Sequence, residues 1–227
     1  MNLEIFQLDN SLLFNDTSVI IVEVENIKFY RSLIESFHCI SEFETPAIEM
    51  RLYENNEELN IANETVIITD ILDFDFKQRV FITKIYKQLE KQYHNNKEID
   101  LIADQLVELR QLIGIQLNDY DLPLQLNEEV KLSSLYKLFN VTIEVETESI
   151  LDRLLLLIDL VAQLKIARII ILNNVRCYFV EQELLEVYKY ALYKNIKLLL
   201  IEPIFKKGKL QYERKLQIDN DYIEFWQ

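Results

Sequence analysis

The sequence predicts an α/β fold, a mostly parallel sheet with flanking helices, into which an α-helical hairpin is inserted. Two patterns predict it. Short runs rich in Val, Ile and Leu recur at 19–24, 66–69, 141–145, 168–172 and 197–201 without apolar–polar alternation. Such runs suit strands covered on both faces. Helical stretches at 26–38, 133–138, 149–164 and 181–194 separate them, and that alternation implies right-handed βαβ units. Residues 1–75 and 128–227 together read as this head domain.

The middle of the chain reads differently. Residues 76–93 and 99–117 are two long helical patterns joined by polar residues near His94. In the second, Ile99, Ile102, Leu106, Leu109, Leu112 and Ile113 recur as a core-facing stripe. Residues 76–127 are therefore expected to form a helical leg, with the Pro123 loop at 118–129 as its return hinge.

Composition narrows the function. The chain has 227 residues, a net charge of −14 and 27% charged residues, which suits a globular protein and argues against one that is sticky to nucleic acid over its whole surface. Binding through one segregated basic face remains open. Cys39 and Cys177 are expected as free, buried thiols in a reducing cytoplasm, since no signal peptide is legible. The most apolar helix pattern, 150–164, carries Asp152, Arg153 and Asp159 and is too short for a membrane span.

Two glycines, Gly114 and Gly208, leave few turns able to take positive φ. They also exclude a phosphate cradle, because neither GxxxxGK[ST] nor GxGxxG can be drawn. After the 19–24 strand the chain reads Glu25-Asn26-Ile27-Lys28. No nucleotide is therefore expected. His38 and His94 sit on different elements and no GxSxG elbow exists, so nothing supports nucleophilic catalysis or a zinc site.

Two acidic clusters are candidate metal sites. Asp70, Asp73 and Asp75 follow a strand, where three carboxylates can hold Mg²⁺ for phosphodiester cleavage. The competing reading is a capped turn into the leg helix. Asp119, Asp121, Glu128 and Glu129 surround the hinge and offer oxygens suited to Ca²⁺, or else are solvated acids.

The strongest positive signal is electrostatic. Residues 77–91 contain five cations, Lys77, Arg79, Lys84, Lys87 and Lys91, against one acid, Glu90. On a helix Lys77, Lys84, Lys87, Lys91 and His94 share one sector of about 100°. Such a stripe suits contact with phosphates, conferring affinity without sequence preference; a solvated basic face is the alternative. A second patch, Lys206, Lys207, Lys209, Arg214 and Lys215, reads as a surface hairpin around Gly208.

Residues 65–75, TVIITDILDFD, resemble the (V/I)TDIL-x-FD stretch of the CRISPR-associated Csn-two family, accessory adaptation proteins of type II-A loci. The start Met1-Asn2-Leu3, the 169–173 strand (IFVN-like), the LLxEP-like end at 198–203 and the D-x-D-Y tail at 219–222 agree in order, so the resemblance spans the chain. It implies a P-loop-like but inactive head, a helical leg, and a homotetrameric ring holding Ca²⁺ at its hinges around the ends of linear double-stranded DNA. It further implies action in spacer uptake beside the integration proteins and RNA-guided nuclease of the same locus. The expectation is a non-catalytic cytoplasmic DNA-end binder, with a metal-dependent nuclease using Asp70, Asp73 and Asp75, or a pure protein scaffold, as alternatives.

Overall fold

The computed structural model describes residues 1–93, 99–127, 130–145, 149–203 and 208–227. They form two compact units, Lys77–Glu144 and the remainder, Met1–Phe76 with Val145–Gln227. The return boundary thus falls after Glu144, where the sequence pattern places it after residue 127.

The larger unit is built on a six-stranded sheet. Its strands are β3 (Val19–Val24), β6 (Thr65–Ile68), β7 (Ile169–Asn173), β8 (Lys197–Glu202), β9 (Glu213–Ile218) and β10 (Glu224–Trp226), in spatial order β10-β9-β3-β8-β7-β6. All neighbours are parallel except β10, which runs antiparallel to β9. β3 is buried at all six positions, as its unalternating apolar run requires.

A second sheet was not legible in the sequence. Strands β1 (Asn2–Ile5), β2 (Leu12–Leu13), β4 (Met50–Glu54) and β5 (Glu57–Leu59) form an antiparallel sheet in the order β2-β1-β4-β5. Its inward residues Leu3, Ile5, Leu12, Met50 and Leu52 join one core with α1 (Ile27–Ser41) and with Ile20, Val22, Val24, Leu199, Ile201, Leu216 and Ile218 of the large sheet. Alternate residues of the same strands point the opposite way. Buried residues of α6 (Ile150–Leu164) and α7 (Glu181–Tyr193) belong to that second layer, with α7 packed on β8. A short helix α2 (Ile61–Glu64) leads into β6.

The smaller unit contains α3 (Arg79–Tyr93), α4 (Ile99–Leu117) and α5 (Leu132–Leu138). Three expectations fail in or near it. Residues 141–145 form no strand: Asn140 takes φ 51°, Val141 N–H returns to Tyr136 O at 2.8 Å to close α5, and Val141 O accepts the Tyr86 hydroxyl. The apolar stripe of α4 is not core, since Ile102, Leu109, Leu112 and Ile113 are exposed along with Leu101, Val107 and Ile115. Nor are positive-φ turns scarce. Among the described residues nine other than glycine adopt them, five being Asn (Asn55, Asn56, Asn140, Asn174, Asn195), the side chain most tolerant of that region.

Both cysteines are free, but neither is buried: Cys39 is half-buried and Cys177 exposed, its thiol donating to Asn174 O at 2.9 Å. No helix among the described residues is long and apolar enough to cross a membrane.

Candidate nucleic-acid interface

The basic stripe begins with the start of α3. Gln78 O accepts the N–H groups of Phe81 at 3.1 Å and Ile82 at 3.2 Å, so Lys77 lies ahead of the helix and off its wheel. His94 falls outside the described residues. Lys84, Lys87 and Lys91 remain, within a sector of about 60° at 100° per residue. Lys87 and Lys91 are exposed and Lys84 is half-buried, while Phe81 and Tyr86 are buried on other sides of the helix. None of the three lysines is in an ion pair among the described residues.

What holds α3 in place is α5. The Tyr86 and Tyr136 rings lie 5.5 Å apart, the Tyr86 hydroxyl donates to Val141 O at 3.1 Å, and Glu90 Oε1 accepts Ser133 N–H at 3.2 Å. Residue 86 meets 136 and residue 90 meets 133, so the two helices run antiparallel. Glu90 thereby accepts a backbone donor of α5.

The second patch does not form one surface. Lys206 and Lys207 lie outside the described residues, and Lys209 is exposed. Arg214 donates to Leu13 O at 2.8 Å and stacks over Trp226, 4.9 Å from its centroid. Lys215 is fully buried. It points inward because alternation along β9 turns residues 213, 215 and 217 beneath the chain that returns from β8, and Lys215 Nζ donates there to Gly208 O at 2.6 Å.

At the hinge, Asp119 and Asp121 are exposed in the turn that ends α4, where the N–H groups of Asn118, Asp119 and Tyr120 donate three residues back. Glu128 and Glu129 lie outside the described residues. Two carboxylates fall short of the six to eight oxygens Ca²⁺ takes, and no group of three or more His, Cys, Asp or Glu among the described residues could hold a metal ion. The described donors therefore supply at most part of a shell.

The Asp70–Asp75 loop is organised around Arg153. Its guanidinium donates to Ile71 O at 3.3 Å, Leu72 O at 3.1 Å and Phe74 O at 3.0 Å, and lies 5.2 Å from the Phe76 centroid. Asp70 Oδ1 accepts Leu72 N–H at 2.8 Å in a tight turn. Asp70, Asp73 and Asp75 all stay exposed. The nearby negative charge of Asp70 pushes the Tyr178 hydroxyl up from its ordinary pKa. A turn accounts for this geometry, while α3 begins after Gln78, past Asp75, so the expected Asp cap is not at its start.

A family model described as CRISPR-associated protein (Cas_Csn2) matches residues 47–222. The chain belongs to the Csn2 family. Over 217 residues it is 23% identical to the CRISPR-associated protein Csn2 of Streptococcus agalactiae, covering 95% of this chain and 93% of that one. It is 24% identical over 178 residues to the Csn2 of Enterococcus faecalis, covering 78% and 80% of the two chains. The crystal structure of Stu0660 of Streptococcus thermophilus shares the fold, with a TM-score of 0.55 at 16% identity over 96% of this chain and 74% of that one.

In this Csn2 chain the end of β3 is closed by its own residues. Asn26 caps α1, its Oδ1 accepting the N–H groups of Lys28 and Phe29, both at 3.1 Å. Its Nδ2 donates to Asn220 O at 3.2 Å, and Tyr222 packs on Phe29 with centroids 5.3 Å apart. Donors that a phosphate cradle aims at its anion are here met within the chain. At the neighbouring strand ends the Tyr30 hydroxyl donates to Asn173 Oδ1 at 2.5 Å, and its pKa is pushed up to about 12 by burial and then by the Glu202 charge.

Sequence patterns gave little sign of a buried ionic network beneath the β8–β9 connection. Arg176 binds Glu23 at 2.9 Å and lies 3.4 Å from Glu213, and Lys215 binds Glu23 at 3.1 Å. Tyr188 donates to Glu213 at 3.0 Å, Gln217 to Glu23 at 2.7 Å, and Glu202 accepts Arg176 N–H at 3.0 Å. Burial, then the Glu213 charge, pushes the Tyr188 hydroxyl far up. One signal was available, a lone Glu23 inside the apolar run 19–24. In the described part of the β8–β9 connection, Glu213 and Lys215 satisfy Leu210 N–H and Gly208 O.

Proposed function

We propose that this Csn2-family chain binds the ends of linear double-stranded DNA without sequence preference, as a non-catalytic homotetrameric ring acting in CRISPR spacer acquisition. One observation carries the reading. In a chain of net charge −14, Lys84, Lys87 and Lys91 stand on one face of α3 without a carboxylate partner among the described residues. From Lys84 to Lys91 the helix rises about 10 Å, which spans several phosphates of a duplex carrying one charge per ~1.7 Å of axis. Such contacts position a duplex without reading its bases.

Self-association is supported by α4, whose Leu101, Val107, Leu109, Leu112 and Ile115 are exposed. A continuous exposed apolar helix marks a contact surface, and closed rings are a common use of such surfaces. Ca²⁺ at Asp119, Asp121, Glu128 and Glu129 is proposed as a structural ion bracing the hinge. The partners are the integration proteins and RNA-guided nuclease of the same locus, in the cytoplasm. Absence of catalysis is supported by the capped end of β3 and by the engagement of Asp70 in its own turn.

A gel shift comparing linear with closed-circular DNA of equal length tests the reading. Retention of linear DNA alone is the expected result; equal shifts would overturn the ring. Incubation with Mg²⁺ or Mn²⁺ should leave duplex ends intact, whereas cutting that Asp70→Asn abolishes would make the protein a nuclease.

A further inference from the structure

We infer that α5 carries a further phosphate-binding residue, Lys137, so that the DNA surface of the smaller unit spans two antiparallel helices. This rests on the reading of α3 as a DNA-binding helix and extends it to a residue outside the 77–91 run.

The placement follows from packing. α5 turns Tyr136 and Ser133 toward α3, meeting Tyr86 and Glu90. On the α3 wheel, the direction midway between Tyr86 and Glu90 points to α5, and Lys87 lies about 80° beyond it, with Lys91 and Lys84 further round the same side. An antiparallel right-handed helix advances in the opposite rotational sense when both are viewed down one axis. Lys137, one step of about 100° past Tyr136, therefore turns to the side on which Lys87 lies.

The apolar residues check this assignment. On α5, Leu132 and Leu135 fall on the side opposite Lys137, and both are half-buried. On α3, Ile82, Ile85 and Leu89 fall on that same opposite side and are half-buried too, while Lys137, Lys87 and Lys91 are exposed. One side of the helix pair is thus apolar, while the other gathers the lysines around the exposed Val80. Axes of packed helices lie about 8–10 Å apart, so Lys137 adds a second row beside Lys84 and Lys87. It is in no ion pair among the described residues. Lys131, exposed and extended, precedes α5 and stands off its wheel.

The test is the affinity of the full-length protein for a linear duplex across a salt series, measured by fluorescence anisotropy. Four variants are compared with wild type: Lys137→Gln, Lys131→Gln, Lys137→Arg and the double change Lys84→Gln with Lys87→Gln. Lys137→Gln should weaken binding and flatten the slope of log K against log salt by about 0.9 for each phosphate no longer neutralised. Lys137→Arg should bind as wild type, and Lys131→Gln should change neither quantity. Equal weakening in Lys137→Gln and Lys131→Gln would reduce the effect to net charge and overturn the inference. So would a weakening in Lys137→Arg matching that in Lys137→Gln, which would mark a packing role. An unchanged slope in Lys137→Gln beside a flattened one in the double variant refutes Lys137 alone. Unchanged slopes in both refute the α3 reading with it.

Discussion

Two groups of cations in this chain have opposite surroundings. Arg176 and Lys215 lie inside the larger unit, bound to Glu23 and Glu213 under the β8–β9 connection. Lys84, Lys87 and Lys91 lie along α3 in the smaller unit with no ion-pair partner among the described residues. The difference teaches where to look for function in an acidic protein. Removing a charge from water costs several kcal/mol, so the inner cations are matched to carboxylates and fix the register of the elements they join. The outer ones carry no such cost, and an acidic chain that leaves them unmatched keeps them available to an external anion.

The contrast predicts that the two groups fail in different assays. Changing Lys84 and Lys87 to Glu should lower DNA affinity on the order of a hundredfold or more at physiological salt, because the proposed ring would repeat each lysine around the duplex. Folding, followed by circular dichroism, should stay within about 0.5 kcal/mol of wild type. A folded double variant with an unchanged salt slope would make the α3 stripe a solvated face. Lys215→Met should do the reverse. It leaves the buried carboxylates Glu23, Glu202 and Glu213 with Arg176 as their one buried cation among the described residues, and should destabilise the fold by about 3–5 kcal/mol in urea titration; a loss below about 1 kcal/mol would mean that the network relaxes around the change.

The hinge should respond less. Ca²⁺ bound only to the folded state adds about 2.7 kcal/mol at a hundredfold excess over Kd, so chelation should lower the melting temperature or dissociate the oligomer. Asp121→Asn with Glu128→Gln should reproduce the effect, and superimposed melts with Ca²⁺ and with chelator would remove the ion from the account.

The smallest effect belongs to an intermediate case, the half-buried Lys194–Asp159 pair at 2.6 Å. Burial would raise the Asp159 pKa, but hydrogen bonds from Lys194 and Tyr190 outweigh it and hold the carboxyl below its ordinary value. A depressed carboxyl contributes stability above its unfolded pKa and loses it as pH falls through the folded one. The urea midpoints of wild type and Asp159→Asn should therefore differ at pH 7, begin to close below about pH 4 and converge only once the pH is below the lowered folded value. A gap that persists in acid would assign the stabilisation to packing.

Much of the large sheet was legible because its strands are buried on both faces. β3, β7 and β8 stand out as unbroken apolar runs, and α6 and α7 as the helical patterns beside them. The N-terminal sheet was not legible. β2 is two residues long, and β5 reads Glu57-Glu58-Leu59, with no apolar run to count. Residues 141–145 misled for the opposite reason, since β-branched residues satisfied the local pattern while Tyr86 and Tyr136 took the backbone groups of Val141. Of the candidate site, the α3 lysines were legible from spacing. The true helix start was not, because Gln78 acts through its carbonyl rather than through a capping side chain. Lys137 was invisible for a further reason. Only the packing of α5 on α3 brings it beside the stripe.

The five left-handed asparagines bear on the denatured chain as much as on the folded one. Glycine at these positions would release local crowding in the turn but widen the range of backbone states open to the unfolded polypeptide. With Gly208 its only positive-φ glycine among the described residues, the chain reaches almost all its reversals from a stiffer starting ensemble. Part of the free-energy balance of folding is thus set in the unfolded chain, as conformational freedom it never had to surrender.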